Sequence, residues 1–269
     1  MNPSAEKFTA LQDVLQKLIS PEGCPWDRAQ SPASLCDYVI EEAHELAAAI
    51  RQGGRADAAE ELGDVFFLLI FIGLLYEKTG DFTLADVLEG SKIKMIRRHP
   101  HVFSDAVCAS KEDVLATWER IKRQEHAEAS EKPSGIFAGL PASLPPLLKA
   151  YRLNSRAASA GFTWDSDSDV EQQVEAEWLE LLDAFASDNK ESQEHELGDL
   201  LLTLVELGRR RGIKAGAALD AATRRFLGRF AFMEEAAYKK GQDFTALDME
   251  EKNVLWERAK EDEKSRKGQ

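Results

Sequence analysis

The sequence has 269 residues, of which 43% are hydrophobic and 30% are charged. This composition is typical of a folded globular protein and excludes a fully disordered chain, and the length allows one or two domains of ~100–200 residues. The formal net charge of -14 comes from 34 Lys and Arg against 48 Asp and Glu. This acidic surplus argues against a partner that is a nucleic-acid polymer or an anionic membrane surface.

The cysteines and the apolar runs predict a cytoplasmic protein. Cys24, Cys36 and Cys108 are odd in number and form no CxxC pair, which argues against a disulfide framework or a zinc ribbon and favours a reducing cytosol. The residues MNPSAEKF contain no basic stretch followed by an apolar run, so no signal peptide is predicted. The longest apolar run, residues 65–75, is too short for a bilayer that needs ~20 residues.

The order of motifs along the chain is repeated once. CPWD, EELGD and WERIK in the first half are followed by FTWD, HELGD and WERAK in the second half. This order indicates the duplication of one unit of roughly 110–125 residues. Residues 126–150 between the copies are rich in Pro and Gly, which interrupt helices. We therefore predict an N-terminal domain at 1–125, a linker at 126–150 and a C-terminal domain at 151–269.

Each copy is predicted to contain a hairpin of two helices. Apolar residues recur at three- and four-residue spacing in 38–50, and a second helix is expected from about Asp57 to Lys78, after a loop with Gly53 and Gly54. In the second copy, one helix is predicted at 170–186, followed by the polar loop SDNKES and then a second helix that runs through Leu207. The fold class is therefore all-α, with two tandem helical-bundle domains. The apolar stretch 65–75 is expected to be buried in the core or in the interface of a homodimer.

Carboxylates recur on both predicted hairpins. Glu42 and Glu45 are three residues apart, as are Glu61 and Asp64, so an antiparallel hairpin would bring four carboxylates together, with Glu41 as a fifth. The matching residues of the second copy are Glu177, Glu180, Glu196 and Asp199. Glu45 and Glu61 are sixteen residues apart, as are Glu180 and Glu196. This pattern predicts a site for Mg²⁺, with Mn²⁺ as a substitute; the alternative is an ordinary solvated helix face.

The histidines near these motifs are interpreted as neighbours rather than as ligands. His44 and His195 each adjoin an acidic motif. His99 and His101 are separated by Pro100 and do not have the spacing of a helical zinc site.

Each copy also supplies cations and a tryptophan, with Lys94/Arg98 and Arg225/Arg229 each four residues apart. The candidate substrate-binding residues are Lys94, Arg98, Trp118 and Lys122 in the first copy, and Arg225, Arg229, Trp256 and Lys260 in the second. Basic side chains beside Mg²⁺ suit a triphosphate, and a tryptophan can stack on a base. The alternatives are a salt-bridged surface for the basic pairs and core packing for the tryptophans.

Together these motifs resemble the MazG family of nucleoside triphosphate pyrophosphohydrolases. The resemblance rests on GCPWDRAQ, EEAHE, EELGD, IRRHPHVF, WERIK, GLPASLP and GFTWD, and it extends from about Leu11 to Glu263. It implies tandem all-α domains in a dimer and Mg²⁺-dependent hydrolysis of many nucleoside triphosphates to the monophosphate and pyrophosphate. It also implies that the eight paired carboxylates named above are metal ligands and that Arg225, Arg229, Trp256 and Lys260 contact the nucleotide.

The two copies depart differently from the family pattern. The second copy has Ala176 where the family has a first glutamate, and Arg225 stands where a lysine is more usual. The first copy keeps the fuller acidic set, so the second copy alone could be a nucleotide-binding or dimerisation module without turnover. A helical adaptor that binds no Mg²⁺ is the third hypothesis.

The expected mechanism is attack by an activated water, in line, at the α-phosphorus, with pyrophosphate leaving. Glu41 or Glu45 would orient that water as the general base, and the basic residues would stabilise the leaving pyrophosphate.

Overall fold

The computed structural model describes residues 3–128 and 135–267. Within these ranges the chain forms twelve α-helices and one short 3₁₀ helix, and no β-strand. The all-α fold class is therefore confirmed. The α-helices are α1 (Pro3–Leu18), α2 (Pro25–Arg28), α3 (Cys36–Gln52), α4 (Arg55–Thr79), α5 (Leu84–Arg98), α6 (Pro100–Phe103), α7 (Lys111–Glu128), α8 (Pro146–Ser159), α9 (Asp167–Phe185), α10 (Lys190–Arg210), α11 (Ala215–Lys239) and α12 (Met249–Lys267).

The chain divides into two compact units, Met1–Trp118 and Glu119–Gln269. Helix α8 begins at Pro146, inside the segment expected to be a linker, and proline is well suited to the first turn of a helix because it has no N–H to leave unpaired. Arg156 of α8 donates to the carbonyl oxygens of Ala138, at 2.8 Å, and Ile136, at 3.4 Å. Residues 136–138, in the described end of that segment, are therefore held against α8 within the second unit.

In the first unit, α3 and α4 form an antiparallel hairpin with a two-residue connection. Gly53 ends α3 in the left-handed conformation, at φ 79°, which costs glycine little because it has no Cβ. Gly54 then precedes the first residue of α4. The two helices extend further into the expected loop than the sequence predicts, since α4 begins at Arg55 rather than near Asp57.

The core of the first unit lies between α1, α3 and α4. Its buried side chains are Leu15, Leu35, Leu68, Ile70, Phe71, Leu74 and Leu75. Phe71 and Leu15 have no exposed surface, and burying each such side chain stabilises the fold by about 1.5–3 kcal/mol. The apolar stretch 65–75 is buried on one side only, because Phe66 and Leu69 are about half exposed.

In the second unit, α9 and α10 form the corresponding hairpin. Ser166 caps α9 by accepting from the backbone N–H of Asp169, whose side chain accepts from the Ser166 backbone in return. Arg210 of α10 donates to Asp167 at 2.7 Å, and this ion pair lowers the pKa of the Asp167 carboxyl. The far end of the hairpin is therefore closed by charge pairing as well as by packing.

A second apolar cluster lies between α11 and α12. Its buried members are Met233, Ala237, Leu247, Leu255 and Ala259. Across the described residues no helix is both long and apolar enough to cross a membrane. All three cysteines are free.

Candidate active site

The hairpin of the first unit brings three of the predicted carboxylates together. One oxygen of Glu42, one of Glu45 and one of Glu61 all lie within 4.8 Å of one another. Glu45 lies eight residues before Gly53 and Glu61 eight residues after it, so the two are level across the turn. The three-residue spacing of Glu42 and Glu45 places both on the side of α3 that faces α4.

The charges in this group act on one another. Burial raises the pKa of Glu42, and the negative charges of Asp64 and Glu45 raise it further. The pKa of Glu61 is raised by burial first and then by Glu45 and Glu42. Such crowding of like charge is relieved by a cation, and an all-oxygen donor set is the one that Mg²⁺ prefers.

Asp64 and Glu41 lie at the edge of the group. The negative charges of both raise the pKa of Glu42, but neither residue contributes an oxygen to the group formed by Glu42, Glu45 and Glu61. Both side chains are exposed. They are therefore available to water and substrate as well as to a metal ion.

A cavity of about 220 Å³ adjoins the first cluster. Glu42 and Asp64 line it on the acidic side, and Trp26 and Tyr38 lie in its wall with their rings edge to face, 6.0 Å between centroids. The other lining residues are Leu35, Phe67, Leu68 and Phe71. Trp26 belongs to the repeated CPWD motif, but the sequence did not indicate that its ring would form a cavity wall with Tyr38.

The second hairpin repeats the arrangement with different neighbours. Glu177, Glu180 and Glu196 each offer an oxygen within 4.8 Å of the other two. Gln173 donates to Glu177 at 2.9 Å. His195 Nδ1 lies 3.3 Å from Glu196 Oε1 and 3.4 Å from Asp199 Oδ2. The hydrogen bond to Glu196 and then the charge of Asp199 raise the pKa of His195.

The predicted substrate-binding residues lie on other helices. In the first unit the Arg98 guanidinium lies 5.3 Å from the centre of the Trp118 ring, and in the second unit Arg229 lies 5.2 Å from that of Trp256. The expected grouping of arginine with tryptophan is thus present in each unit, on α5 with α7 and on α11 with α12. Each arginine covers part of a tryptophan face as a cation–π contact.

The remaining basic residues differ in their surroundings. Arg229 also pairs with Glu263, at 2.8 Å, and Lys260 pairs with Glu257, at 2.9 Å. Lys94 and Arg225 are exposed, and Lys122 is half-buried and falls within Glu119–Gln269. A role for these residues in binding substrate stays a prediction.

Comparison with known proteins points to one family. The model of the MazG nucleotide pyrophosphohydrolase domain matches residues 30–103, which contain the first carboxylate cluster. The nucleoside triphosphate pyrophosphohydrolase of Escherichia coli (strain K12) is 34% identical over 256 residues, which are 94% of this chain and 97% of that protein. The nucleoside triphosphate pyrophosphohydrolase/pyrophosphatase MazG of Thermotoga maritima is 39% identical over 253 residues, 94% of this chain and 95% of its own.

Proposed function

The chain belongs to the MazG family of nucleoside triphosphate pyrophosphohydrolases, and we propose that it uses Mg²⁺ to hydrolyse nucleoside triphosphates to the monophosphate and pyrophosphate. The observation that carries this proposal is the cluster of three carboxylate oxygens on each hairpin. The proposal extends to Mn²⁺ as a substitute ion, since Mn²⁺ also accepts oxygen ligands.

The residues that would hold the ion are the paired carboxylates. In the first copy they are Glu42, Glu45, Glu61 and Asp64. In the second copy they are Glu177, Glu180, Glu196 and Asp199. When bound, Mg²⁺ neutralises phosphate charge and lowers the pKa of water near it. Burial is the first cause of the raised pKa values of Glu42 and Glu61, and the neighbouring carboxylates add to it; a bound cation would offset this second, repulsive part.

The reaction breaks the bond between the α-phosphorus and the oxygen that bridges to the β-phosphate. Water oxygen forms a new bond to the α-phosphorus in line with the leaving pyrophosphate, and its proton passes to a carboxylate. Glu41 is our candidate for this base, because it lies beside Glu42, is exposed and does not belong to the three close oxygens. Glu45 is the alternative base if the ion leaves one of its oxygens unengaged.

The basic residues would bind the phosphates that leave. Arg98 and Arg229 are held in similar positions over tryptophan rings, which fixes their guanidinium groups. The other candidates for this role are Lys94, Lys122, Arg225 and Lys260, with Trp118 and Trp256 as stacking partners for a base. Because the aromatic cavity wall near Glu42 has few hydrogen-bonding groups, we expect weak discrimination among bases and a role in clearing the nucleotide pool.

A homodimer is part of the proposal. Helix α4 leaves Leu62, Phe66 and Leu69 between 46% and 51% exposed, although the other side of the same helix is buried in the core. Neighbouring apolar residues left on a helix are typical of an interface between subunits. Light scattering during gel filtration would test this, with a mass near 60 kDa expected for two chains of 30.0 kDa and one near 30 kDa contradicting it.

The activity is tested by pyrophosphate release from a panel of nucleoside triphosphates with Mg²⁺. We compare the wild type with Glu42→Gln/Glu45→Gln and with Glu177→Gln/Glu180→Gln, which remove charge from one cluster at a time with little change of shape. Glu77→Gln is the matched control, because Glu77 is an exposed glutamate of α4 outside the cluster. Wild-type rates in both double variants would contradict the assignment of the metal ligands.

A second candidate function concerns the second copy alone. Ala176 occupies the position at which the first copy has Glu41, the candidate base. The second copy would then bind nucleotide without turnover. In that case Glu42→Gln/Glu45→Gln abolishes pyrophosphate release but leaves nucleotide binding measurable by calorimetry, whereas residual turnover in that variant would assign catalysis to both copies.

A further inference from the structure

We infer that His195 is a metal ligand, and that the second-copy cluster therefore binds a borderline divalent transition metal such as Co²⁺ or Zn²⁺ more tightly than the all-oxygen first cluster does. The inference rests on the proposed function, because it takes the carboxylates around His195 to be cation ligands. It revises the interpretation of this histidine as a mere neighbour of the acidic motif.

The position of His195 on α10 brings its ring to the carboxylates. It precedes Glu196 by one residue and Asp199 by four, so His195 and Asp199 are one helical turn apart on the same face. A nitrogen and two oxygens from these three residues all lie within 4.8 Å of one another. Glu196 belongs both to this group and to the group with Glu177 and Glu180, so the histidine lies at the edge of the proposed metal cluster.

The distances of the hydrogen bond to Glu196 and of the contact with Asp199 are also those expected between two ligands of one ion. His195 Nδ1 is 3.3 Å from Glu196 Oε1 and 3.4 Å from Asp199 Oδ2. Two ligand atoms that are each about 2.1 Å from a metal are about 3.0 Å apart at an octahedral angle and about 3.4 Å apart at a tetrahedral one. Charge-assisted hydrogen bonds are shorter, about 2.7–2.9 Å. Both contacts are therefore close to the separation that a shared metal imposes.

The donor set then differs between the two copies. Glu60 stands in the first copy where His195 stands in the second, each directly before the paired glutamate. The first cluster thus offers oxygen only, whereas the second adds an imidazole nitrogen. Imidazole favours Zn²⁺, Ni²⁺ and Co²⁺ over Mg²⁺, which keeps oxygen ligands and water. The His195 side chain is 69% exposed, so an ion reaches it from solvent.

The test uses the full chain with the first cluster silenced by Glu42→Gln/Glu45→Gln. Co²⁺ and Mg²⁺ are titrated separately by calorimetry, and proton NMR of the Co²⁺-loaded protein is searched for the shifted, exchangeable N–H of a coordinated imidazole. We expect one such signal. Adding His195→Glu should abolish it and weaken Co²⁺ binding by about tenfold or more, because even outer-sphere partners of a metal are worth 10–100-fold. Mg²⁺ affinity should not fall.

Two further variants serve as matched controls. His44→Glu changes the exposed histidine beside Glu45 and should leave the Co²⁺ signal and affinity of the silenced chain unchanged. Glu60→His, placed in a chain silenced instead by Glu177→Gln/Glu180→Gln, should create the imidazole signal in the first copy and strengthen Co²⁺ binding there. Circular dichroism confirms that each variant is folded.

The outcomes separate this inference from the function on which it rests. If Co²⁺ binds the silenced chain but His195→Glu changes neither the affinity nor the NMR spectrum, His195 is not a ligand and the proposed metal site survives. If the folded silenced chain binds neither Co²⁺ nor Mg²⁺, the second-copy metal site itself is wrong, and this inference is wrong with it.

Discussion

The two hairpins hold similar carboxylate clusters on differently built helices. Ten residues after the second-helix glutamate, Glu61 or Glu196, the first copy has Phe71 and the second has Glu206. Phe71 is fully buried among apolar side chains, and Glu206 is 2% exposed and paired with Arg209. Arg209 donates twice to this carboxylate, at 2.6 and 2.7 Å.

This difference separates what the site requires from what the core requires. The carboxylates that face the neighbouring helix are present in both copies, as the proposed metal site requires, because side chains at that spacing can converge on one ion. The positions that face the core differ, because a buried aromatic ring and a bidentate ion pair can each fill space without leaving a polar group unpaired. The two hairpins therefore have similar carboxylate clusters, but they are stabilised by different side chains at the positions that face the core.

The largest effect is expected from Phe71→Ala. Removing a fully buried aromatic side chain leaves a cavity and should lower the free energy of unfolding of the first unit by about 3–5 kcal/mol. Urea denaturation followed by circular dichroism measures the loss. Phe66→Ala on the same helix is the control, since Phe66 is 48% exposed and should cost less than half as much. Equal losses in the free energy of unfolding would mean that the side of α4 that faces the core does not contribute most of the stability of this helix.

Breaking the buried ion pair of the second unit should cost slightly less. Glu206→Gln leaves the Arg209 charge, whose side chain is 19% exposed, without its partner, and we expect a loss of about 2–4 kcal/mol in the free energy of unfolding. Glu206→Met/Arg209→Leu makes this position apolar, as in the first copy, and should recover stability to within about 1 kcal/mol of the wild type. A double variant as unstable as the single one would show that the pair is irreplaceable.

The turn between α3 and α4 gives a smaller effect. Gly53→Ala forces an alanine into the left-handed conformation at φ 79° and should destabilise the first unit by about 1–2 kcal/mol. Gly90→Ala is the control: a Cβ there meets nothing within 4 Å in the middle of α5, so it should stabilise by about 0.5–1 kcal/mol. Thermal unfolding shows whether each variant is destabilised or stabilised relative to the wild type. A stabilised Gly53→Ala would refute the role of the left-handed turn.

The smallest effects are expected at two matched helix caps. Thr83 is the N-cap residue of α5 and Ser166 is the N-cap residue of α9, and each takes part in a capping box with the aspartate three residues later. Thr83→Ala and Ser166→Ala should each lower the free energy of unfolding by about 1 kcal/mol. Denaturant midpoints check this in both units. If one of these substitutions leaves the free energy of unfolding unchanged, packing alone determines where that helix begins.

Much of this architecture could be predicted from the sequence. The three- and four-residue spacing of apolar residues indicated both hairpins, and the convergence of Glu42, Glu45 and Glu61 follows from helical spacing and the turn at Gly53. The wall formed by Trp26 and Tyr38 could not be predicted, because it depends on how two separate helices pack. The pairing of Glu206 with Arg209 was equally hidden, since charged residues on a helix are usually solvated.

The site was predicted less completely than the fold. The spacing of His195 was visible in the sequence, but the distances from its Nδ1 to two carboxylates depend on side-chain conformation. The sequence predicted that each copy supplies basic residues and a tryptophan for the site. It did not predict that Arg98 would lie over Trp118 or Arg229 over Trp256. In both cases the sequence restricted which residues could meet, and tertiary packing decided how they do.

The central claim is that the two carboxylate clusters carry the hydrolysis, and pyrophosphate release by a variant that lacks both tests it most directly. Glu42→Gln/Glu45→Gln/Glu177→Gln/Glu180→Gln should fold like the wild type and release pyrophosphate at least about a hundredfold more slowly with Mg²⁺, because a catalytic metal contributes several kcal/mol and each 1.36 kcal/mol is tenfold in rate. Glu77→Gln/Glu191→Gln, two exposed glutamates on the same pair of second helices, should keep the wild-type rate. A folded quadruple variant with the wild-type rate would contradict the account.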